Sequence, residues 1–536
     1  MAGQAENTAL DGFPPGFNLF SLEGMEGLNT KAQRPAIKDQ QWSWSQNFIP
    51  IGEANARVIW GVGGLNYTAP GGLTIINHAF YNIASDAFGI AFLSDGSAQQ
   101  FALVGGAVTD VGPASTFWAA GNLSTPTIVQ WANNGILIVS TIGADAYWAW
   151  DGTLHSPGDM TSPDWLNGGT ATPMPTGVAG TAIEIFLSRV WILNGIVRLT
   201  SVASNGADFS TGNGGVSAPN TDSSLRIQYT GIKAANGYLY MFGDSSCAYV
   251  TNVQTSTTPT TTYQYTVIDP QIGTPWRDSV VPFGRSILFA NENGVYALYG
   301  STANKISDDL DGIWNSTVAD FATVVPSSSV ATMFGIKVFC ITLRTTDPTT
   351  GDLADFLACF DGKKWFIASQ NPAPLLTAPQ ETNSVLAAYA SDGTRIRQMF
   401  AQPDALLPKV IVSKLWGGDF GFVARKQALS FNAEVQAIEG TSVEIMLSLD
   451  TDAASGTNLV SFDQEIQFQN IFGQDIQFQN NSLQNILFQS LASILFYAQA
   501  SGLGYGYLLG FTLTTTSPDF VVLRLALGYR NFRGRG

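Results

Sequence analysis

The sequence predicts an all-β fold: an irregular β-propeller of about six or seven blades, with an extended N-terminal arm and a C-terminal β-rich domain. Only 12% of the 536 residues are charged, against about 25% in an ordinary soluble domain. The 55 glycines and many small polar residues suit tight turns and short strands better than exposed helices. Apolar runs rich in Val, Ile, Phe, Tyr and Trp also alternate with Asn-Gly and Asp-Gly pairs, as hairpins do.

The spacing of these pairs favours a propeller over a sandwich. Seven of the pairs stand beside such apolar runs and begin at residues 95, 151, 194, 236, 293, 361 and 392, so that most steps are about 40–65 residues. This spacing fits one prominent turn in each four-stranded blade of roughly 40–50 residues, whereas a sandwich shows turns about every 8–12 residues. Both residues of such a pair tolerate the positive φ of a type I′ turn. We therefore expect a propeller body over residues 46–405.

One segment of this body has helical rather than strand periodicity. Acidic residues follow Ser307, where the dipole of a helix favours negative charge, and apolar residues then recur at helical spacing. These apolar residues are Leu310, Ile313, Trp314, Val318 and Phe321. The pattern predicts one short helix of about three turns near residues 308–322.

The two ends of the chain differ from the body. Residues 1–45 show no period and predict an extended arm, and residues 406–536 predict a C-terminal β domain. Within this domain, decapeptide repeats of the form Ile-Gln-Phe-Gln-Asn span residues 465–490. The alternation places apolar residues on one strand face and glutamines on the other.

The glutamine face of these repeats is a candidate channel or subunit-interface surface, because glutamine binds water without carrying charge. Its candidate residues are Gln467, Gln469, Gln477, Gln479 and Gln489. The chain then closes with a basic tail, which we interpret as a candidate site for docking a partner. The residues of this tail are Arg530, Arg533 and Arg535.

Several classes of function are disfavoured by composition. Two histidines and three cysteines, with no Cys-x-x-Cys pair, cannot supply a zinc site or a disulfide framework, and the bland interpretation of the cysteines is three buried free thiols. No phosphate-binding glycine loop is present, so we expect no metal and no cofactor. A net charge of −16 disfavours tight binding to phosphates but not a surface past which DNA slides.

Membrane and export signals are also missing from the sequence. The N-terminus has neither the basic nor the apolar region of a signal peptide. The span 476–518 carries no charge, but glutamine, asparagine and glycine interrupt its apolar runs. We therefore expect no membrane helix and no stable membrane insertion.

An enzymatic propeller is the main alternative. Propeller glycosidases use paired carboxylates, and Asp244, Asp269 and Glu292 are candidates that the sequence alone does not bring together. Tryptophans beside the turns, such as Trp148, Trp150, Trp191 and Trp365, could stack on sugars, although core packing explains them better. No catalytic residue is assigned, and the protein is predicted not to be an enzyme. A monomeric carbohydrate-binding or glycan-cleaving propeller stays the alternative.

Three phrases resemble the tail-hub (nozzle) proteins of short-tailed bacteriophages, which are of the β-propeller type. The first runs from Gly27-Leu-Asn-Thr-Lys through Arg34-Pro-Ala-Ile-Lys-Asp-Gln-Gln to Asn47-Phe-Ile-Pro. The second joins Asn293-Gly-Val-Tyr-Ala-Leu-Tyr-Gly to Lys305-Ile-Ser-Asp-Asp-Leu-Asp-Gly-Ile-Trp. The third is Val412-Ser-Lys-Leu-Trp-Gly-Gly-Asp. The decapeptide region has no counterpart in this resemblance.

This resemblance implies a structural virion protein, assembled in the host cytoplasm and located in the tail. Such a protein forms a homo-oligomeric ring, expected to be a hexamer, that continues the DNA channel and retains the genome until ejection. Its expected partners are the tail adaptor and portal-side proteins, the tail fibres that it anchors, and genomic DNA that passes through the lumen without sequence-specific binding. An acidic or neutral bore would let DNA pass without the counterion release that drives binding.

Overall fold

The computed structural model divides the chain into two compact units, which we describe separately. The ring unit comprises residues 62–362 and 370–401, and the sandwich unit comprises residues up to 61, 363–369 and those from 402 onward. The structure describes residues 17–22, 25–52, 55–103, 106–119, 125–220, 228–257, 259–315, 318–369, 375–376, 380–382, 385–417, 423–437, 441–449, 457–462 and 494–532.

Almost all regular structure is strand. The sandwich unit begins with β1 (Phe17–Leu22), β2 (Trp42–Gln46), β3 (Phe48–Ile51) and β4 (Asn55–Val58). The ring unit begins with β5 (Leu65–Thr68), followed by the first sheet: β6 (Ile75–Ile83), β7 (Asp86–Leu93), β8 (Ala98–Ala102) and β9 (Val108–Gly112). The second sheet is β10 (Thr127–Trp131), β11 (Gly135–Val139), β12 (Tyr147–Trp150) and β13 (Leu154–His155).

Three further four-stranded sheets follow in the ring unit. The third is β14 (Ala182–Phe186), β15 (Arg189–Asn194), β16 (Val197–Thr200) and β17 (Val216–Pro219). The fourth is β18 (Tyr229–Ala235), β19 (Tyr238–Gly243), β20 (Cys247–Thr255) and β21 (Thr261–Asp269). The fifth is β22 (Val281–Phe283), β23 (Ser286–Asn291), β24 (Gly294–Tyr299) and β25 (Thr302–Lys305).

The last strands of the ring unit complete a sixth and a seventh sheet. The sixth holds β26 (Ser328–Met333), β27 (Ile336–Thr346) and β28 (Leu353–Phe360), and the next strand, β29 (Trp365–Ala368), belongs to the sandwich unit. Five short strands follow: β30 (Leu375–Leu376), β31 (Gln380–Thr382), β32 (Val385–Ala387), β33 (Tyr389–Ser391) and β34 (Arg395–Gln398). The seventh sheet has the order β30-β33-β34-β5, and β31 and β32 form a separate two-stranded hairpin in addition to the seven larger sheets.

Helical structure among the described residues is confined to single turns. The α-helix α1 spans Asp164–Asn167, and 3-10 turns span Pro70–Gly72, Thr211–Asn213, Arg277–Ser279 and Asp308–Leu310. The helix expected near 308–322 is therefore reduced to one 3-10 turn, followed by isolated turns. Leu310, Ile313 and Trp314 are buried at the expected spacing, but Ala319 already pairs with Thr345 as a β-bridge. Helical spacing therefore identified three buried side chains, whereas Val318 and Phe321 are only half-buried.

The seven sheets of the ring unit confirm the predicted all-β propeller. Neighbouring sheets pack face to face through shared apolar clusters, such as Phe92 and Phe117 of the first sheet region with Trp148 of the second. Further clusters join the second sheet to the third, the third to the fourth and the fourth to the fifth. The first strands of successive sheets contact one another from β6 to β30, so they line the axis of the ring.

The ring is closed by a strand from its own N-terminal end. β5 is the outermost strand of the seventh sheet, with Ile396 of β34 opposite Tyr67 of β5. Tyr67 and Ile396 belong to one apolar cluster with Leu93 and Phe101 of the first sheet. The seventh sheet therefore connects both ends of the ring and removes the break that an open series of blades would leave.

The Asn-Gly and Asp-Gly pairs that begin at 95, 151, 194, 236, 293, 361 and 392 each fall in a different one of the seven sheets, and further pairs such as Asn134-Gly135 of the second sheet also occur. Only Asn236 and Gly237 both adopt positive φ, at 52° and 79°, and form the expected type I′ geometry. At Asp95, Asp151 and Asp392 the carboxylate stabilises the turn instead: Oδ1 of Asp95 accepts hydrogen bonds from the backbone N (2.9 Å) and Oγ (2.6 Å) of Ser97. Aspartate favours this side-chain turn because its carboxylate reaches the backbone two residues ahead.

The sandwich unit contains two packed sheets. Its remaining strands are β35 (Lys409–Ser413), β36 (Arg425–Ala437), β37 (Thr441–Leu449), β38 (Thr457–Phe462), β39 (Ile494–Gly506), β40 (Leu509–Thr515) and β41 (Phe520–Phe532). One sheet has the order β3-β4-β41-β36-β39, with β1 also on β41, and the other runs β29-β2-β35-β40-β37-β38. Alternate residues of both sheets form one core, which includes Trp42, Phe431, Phe511 and Leu527.

The N-terminal segment is a correction to the predicted organisation. Residues 1–45 were expected to form an extended arm and residues 46–61 to begin the propeller, but β1 to β4 are strands of the sandwich unit. Trp42 and Phe48 are completely buried in its core. β1, β2 and β4 pair with β41 or β35, hundreds of residues later, and no local periodicity can predict such long-range pairing.

Candidate functional site on the axis of the ring

The axis of the ring unit carries a polar cluster built around Arg277. This residue lies in the 3-10 turn just before β22, and its side chain is 17% exposed. Its Nη1 donates hydrogen bonds to the carbonyl oxygens of Thr125 (3.0 Å) and Thr181 (2.8 Å), and Nη2 donates to Oγ1 of Thr125 (2.6 Å). Thr125 and Thr181 directly precede the second and third sheets, so one guanidinium connects three blades across the axis.

Asp278 completes the hydrogen bonding of this guanidinium. Its Oδ1 accepts from Nε of Arg277 at 3.0 Å and its Oδ2 accepts from Nη2 at 3.4 Å. Each of the three nitrogens of Arg277 therefore has a partner, and the planar fork of arginine makes this many-sided contact possible. The negative charge of Asp278 therefore balances the positive charge of Arg277.

The turn that carries Arg277 is itself held by buried hydroxyl groups. Oγ of Ser279 donates to the carbonyl of Trp276 (2.8 Å) and accepts from the backbone N of Ala290 (3.2 Å). Oγ of Ser328, at the start of the sixth sheet, donates to the carbonyl of Ser279 at 2.8 Å. These bonds fix the turn against the fifth and sixth sheets, which pre-orients the arginine.

His78 of the first sheet faces the same cluster and is 2% exposed. Burial lowers the pKa of His78 to about 3, although the neighbouring Tyr389 backbone and the charge of Asp278 oppose this shift. Neither ring nitrogen has a hydrogen-bond partner of good geometry among the described residues. The imidazole is therefore neutral near pH 7, and acts as a packed ring rather than as a base.

The cluster is suited to joining blades and not to proton transfer. Arg277 and Asp278 form an ion pair with each other, and the imidazole of His78 is neutral near pH 7 because burial lowers its pKa. The cluster lies where the first strands of the second, third and fifth sheets begin, and it connects these three sheets.

Sequence reasoning did not single out Arg277 or Asp278. Nothing in the local pattern around Trp276-Arg277-Asp278-Ser279 reveals that this turn lies on an axis. The only available signal was the rarity of charge, since 25 Lys and Arg occur among 536 residues, so a basic residue immediately before an apolar strand is unusual. Its partners in the second and third sheets could not be inferred from spacing.

The residues predicted as sites are distributed differently. The glutamines at 467, 469, 477, 479 and 489, and Arg533 and Arg535, lie outside the described residues. Arg530 is exposed on β41, with its Cα opposite Phe17 of β1 and Gln427 of β36. The docking role of Arg530 stays a prediction.

The carboxylates proposed for the enzymatic alternative lie in three separate connections. Asp244 follows β19, Asp269 ends β21 and Glu292 follows β23. Oδ1 of Asp269 accepts hydrogen bonds from the backbone N of Gln271 (2.7 Å) and Ile272 (3.0 Å), which makes it a turn-forming residue. Burial raises the pKa of Asp244.

The tryptophans considered as sugar platforms are core residues. Trp148, Trp150, Trp191 and Trp365 are each at most 5% exposed. Their position inside apolar runs had favoured this outcome, which the structure confirms. Such buried rings have no face available for stacking on a sugar.

The first and third phrases of the family resemblance meet in the sandwich unit. Nε of Arg34 donates to the carbonyl of Ser413 at 2.7 Å, across 379 positions of sequence. Nζ of Lys414 lies 2.8 Å from Oδ1 of Asp39, and Trp42 is opposite Ser413 in the pairing of β2 with β35. The two phrases thus form one structural element.

Other residues of these phrases also have defined structural positions. Gly27 has φ of 91°, and a Cβ on it would lie 2.8 Å from the carbonyl oxygen of Trp365, so this position requires glycine. In the second phrase, Oγ of Ser307 accepts from the backbone N of Val295 (2.8 Å). Nε1 of Trp314 donates to the carbonyl of Asn291 (3.0 Å). Conformation and burial therefore account for these residue types.

The described residues show neither a metal-binding group of side chains nor a membrane-spanning helix. Within them, no group of three or more His, Cys, Asp or Glu side chains is arranged to hold a metal ion. Over the same ranges, none of the helices has the length and apolar character needed to cross a membrane.

Comparison with known proteins gives remote structural likenesses. No protein-family model and no curated protein matches the chain. Among solved structures, BBS1N in complex with ARL6DN has a TM-score of 0.37 and 10% identity, covering 66% of this chain and 97% of that one. The N-terminal domain of Nup159 has a TM-score of 0.30 and 9% identity, covering 72% and 95%.

A glycoside hydrolase family 43 arabinoxylan arabinofuranohydrolase from Bacillus subtilis is a third likeness. Its TM-score is 0.22 at 10% identity, covering 95% of this chain and 99% of that one. Scores this low carry no argument about activity or partners. The fold assignment rests on the seven sheets of the ring unit and their closure by β5.

Proposed function

We propose that the chain is a structural virion protein of a short-tailed bacteriophage, the subunit of a six-membered ring at the distal end of the tail. In this role it continues the DNA channel, retains the genome before ejection and anchors fibres. Its neighbours are the tail adaptor and portal-side proteins, and it is assembled in the host cytoplasm. It performs no chemistry of its own.

The observation that carries this proposal is the meeting of two resemblance phrases. Residues 27–50 and 412–419 resemble the same protein group, are separated by most of the chain, and contact each other through Arg34 and Ser413. A chance likeness of two short phrases has no reason to fall on residues that form one element. Their contact supports a shared architecture, because long-range pairs of this kind define a fold more specifically than local turns.

The proposed DNA channel runs between subunits rather than through the centre of one propeller. The side chains of Arg277 and Asp278 connect the starts of the second, third and fifth sheets, which disfavours a DNA path through the ring unit itself. A net charge of −16 is consistent with a path between subunits, since a surface with few basic groups gains little from phosphate neutralisation.

The test is the assembly state of the purified full chain. Light scattering at increasing concentration, with negative-stain images of the same samples, should give rings with a central opening and about six times the 57.2 kDa subunit mass. A chain that stays monomeric up to its solubility limit overturns the ring.

The carbohydrate alternative is tested on the same sample. Calorimetric titration with neutral cello-, xylo- and galacto-oligosaccharides should give no binding heat. Saturable binding or release of shorter sugars by a monomer would replace the tail proposal with the carbohydrate one.

A further inference from the structure

We propose that Cys340 and Cys359 form a preorganised pair of thiols within the sixth sheet, which a small two-electron oxidant converts to a disulfide. Cys340 lies in β27 and Cys359 in β28, directly opposite each other in the antiparallel register. Their sulfur atoms are 3.6 Å apart, and both side chains are completely buried. This site concerns the ring unit alone and does not depend on the proposed function.

The register makes the closure geometrically accessible. Directly opposed residues of an antiparallel pair have Cα atoms about 4.5–5.5 Å apart, and disulfides form at Cα separations of roughly 4.4–6.8 Å. The two sulfur atoms are already in contact, so a rotation about the Cα–Cβ bonds suffices. The backbone pairing of β27 with β28, which continues from Phe339–Phe360 to Thr346–Leu353, stays intact.

The thiols are in the reduced, hydrogen-bonded form in this structure. Sγ of Cys359 donates to Sγ of Cys340, and the two sulfurs also have weak contacts with the carbonyls of Leu357 (3.7 Å) and Val338 (4.0 Å). Burial, followed by the adjacent Cys340, raises the pKa of Cys359 well above its usual value. Because the thiolate is the reactive form, oxidation is slow at neutral pH and accelerates as pH rises.

Ser329, Cys340 and Cys359 lie side by side on three neighbouring strands of the sixth sheet. Ser329 of β26 is opposite Cys340 on its other side and is completely buried. Its Oγ has no hydrogen-bond partner among the described residues. Directly opposed side chains share one face of a sheet, so the hydroxyl of Ser329 is a donor available to the Cys340 thiolate. Ser329 is a positioning residue for the reaction.

The third cysteine, Cys247, serves as an internal control for the reactivity of an unpaired buried thiol. Cys247 is buried in β20 of the fourth sheet, where burial raises its pKa to about 12. It has no place in the register of the sixth sheet. A thiol-specific reaction that needs a paired partner should therefore spare it.

The reaction balances with a diazene such as diamide as oxidant. One thiolate adds to a nitrogen of the N=N bond, and the second sulfur then attacks the first sulfur and displaces the nitrogen. Two S–H bonds break and one S–S bond forms. The two protons and two electrons reduce the diazene to a hydrazine.

The experiment treats the native full-length chain with diamide at several pH values, removes the oxidant, alkylates in denaturant and measures intact mass and peptide map. Untreated protein takes up three alkyl groups. We expect the oxidised protein to take up one alkyl group, at Cys247. The peptide map should contain a disulfide-linked peptide pair with Cys340 and Cys359, and reduction should separate the two peptides. The rate should rise with pH, and Ser329→Ala should lower it several-fold without changing the product.

Matched variants separate pairing from mere accessibility. Cys247→Ser should still close the disulfide and take up no alkyl group after oxidation, whereas Cys340→Ser should keep both remaining thiols. When diamide is added during refolding from urea, it can reach both thiols before they become buried. Full retention of three thiols in both the native and the refolding experiment, or a disulfide that includes Cys247, overturns the proposal.

Discussion

Nη2 of Arg277 lies 2.6 Å from Oγ1 of Thr125, although 152 residues separate the two in sequence. The contact joins the turn before the fifth sheet to the start of the second, on opposite sides of the ring axis. Together with Thr181 and Asp278, it makes one side chain a common anchor for several blades. The stability of the ring therefore depends on this residue more than on a typical surface arginine.

Replacing Arg277 with alanine should lower the urea midpoint of the ring unit. The variant removes hydrogen bonds to two carbonyls and one hydroxyl and leaves Asp278 without its partner, which costs about 2–4 kcal/mol. Arg277→Lys should be intermediate, because an ammonium group lacks the fork that reaches several acceptors. Arg285→Ala, at an exposed position of the same region, is the control and should be nearly neutral. Equal midpoints for Arg277→Ala and Arg285→Ala would contradict the anchoring role.

Closure of the ring should depend on Ile396. This side chain is completely buried in the cluster that joins the seventh sheet to the first, and Ile→Ala at such a site costs about 2–5 kcal/mol. Ile196→Ala offers a matched comparison, since Ile196 is 49% exposed in the third sheet region. Thermal unfolding followed by tryptophan fluorescence should show a lower Tm for Ile396→Ala only. A similar loss in both variants would mean that closure by β5 adds no special stability.

The sandwich unit should become more stable between about pH 8 and pH 10.5. Burial, opposed by the charge of Asp404, lowers the pKa of Lys409 from 10.5 to about 8, and its Nζ donates to the carbonyls of Asp404 and Thr516. Between these two pKa values the unfolded chain binds more protons than the folded chain, so stability rises with pH and the full penalty is present below about pH 8. The rise should be about 1–3 kcal/mol.

Lys409→Met tests this pH dependence. The variant should flatten the rise in unfolding free energy between about pH 8 and pH 10.5, whatever its effect on absolute stability. Lys38→Met removes an ammonium group that is 72% exposed and should leave the slope unchanged. The assignment fails if the Lys409→Met slope equals that of the unaltered protein in urea titrations across this range.

The contact between the two resemblance phrases should contribute measurably to the sandwich unit. Burial lowers the pKa of Arg34 to about 10, and its Nε donates to the carbonyl of Ser413, so Arg34→Ala should cost about 1–3 kcal/mol. Lys38→Ala removes only an exposed ion pair with Glu26, worth at most about 1 kcal/mol. Hydrogen exchange should show faster exchange in β2 and β35 for Arg34→Ala alone. Unchanged protection of these strands would show that the phrases do not stabilise each other.

Much of the ring was predictable because its signals are local. Each of the seven Asn-Gly and Asp-Gly pairs that predicted the propeller specifies a turn through the backbone and side-chain preferences of two or three residues, and each of these seven falls in a different sheet. Alternating apolar residues likewise predicted which tryptophans would be buried. Such features are determined within a span of about ten residues, where the chain's own periodicity selects strand and turn.

The segment near 308–322 shows where local signals end. Its apolar spacing correctly marked Leu310 and Trp314 as buried, but a helix did not propagate, because Ala319 pairs with Thr345. Intrinsic helix preference amounts to less than about 1 kcal/mol per residue, and tertiary pairing overrides it. The type of element was decided by its neighbours.

The sequence by itself determined the all-β class, a propeller of about six or seven blades and the burial of tryptophans beside its turns. Only the tertiary structure decided that the ring has seven such sheets, that β5 closes it, that β1 to β4 belong to the sandwich unit, and that Arg277 connects several sheets. The physical reason is the range of the interactions. A turn depends on adjacent residues, whereas Arg34 and Ser413 are 379 positions apart and Arg277 and Thr125 are 152 positions apart, so each pair meets only in the folded chain.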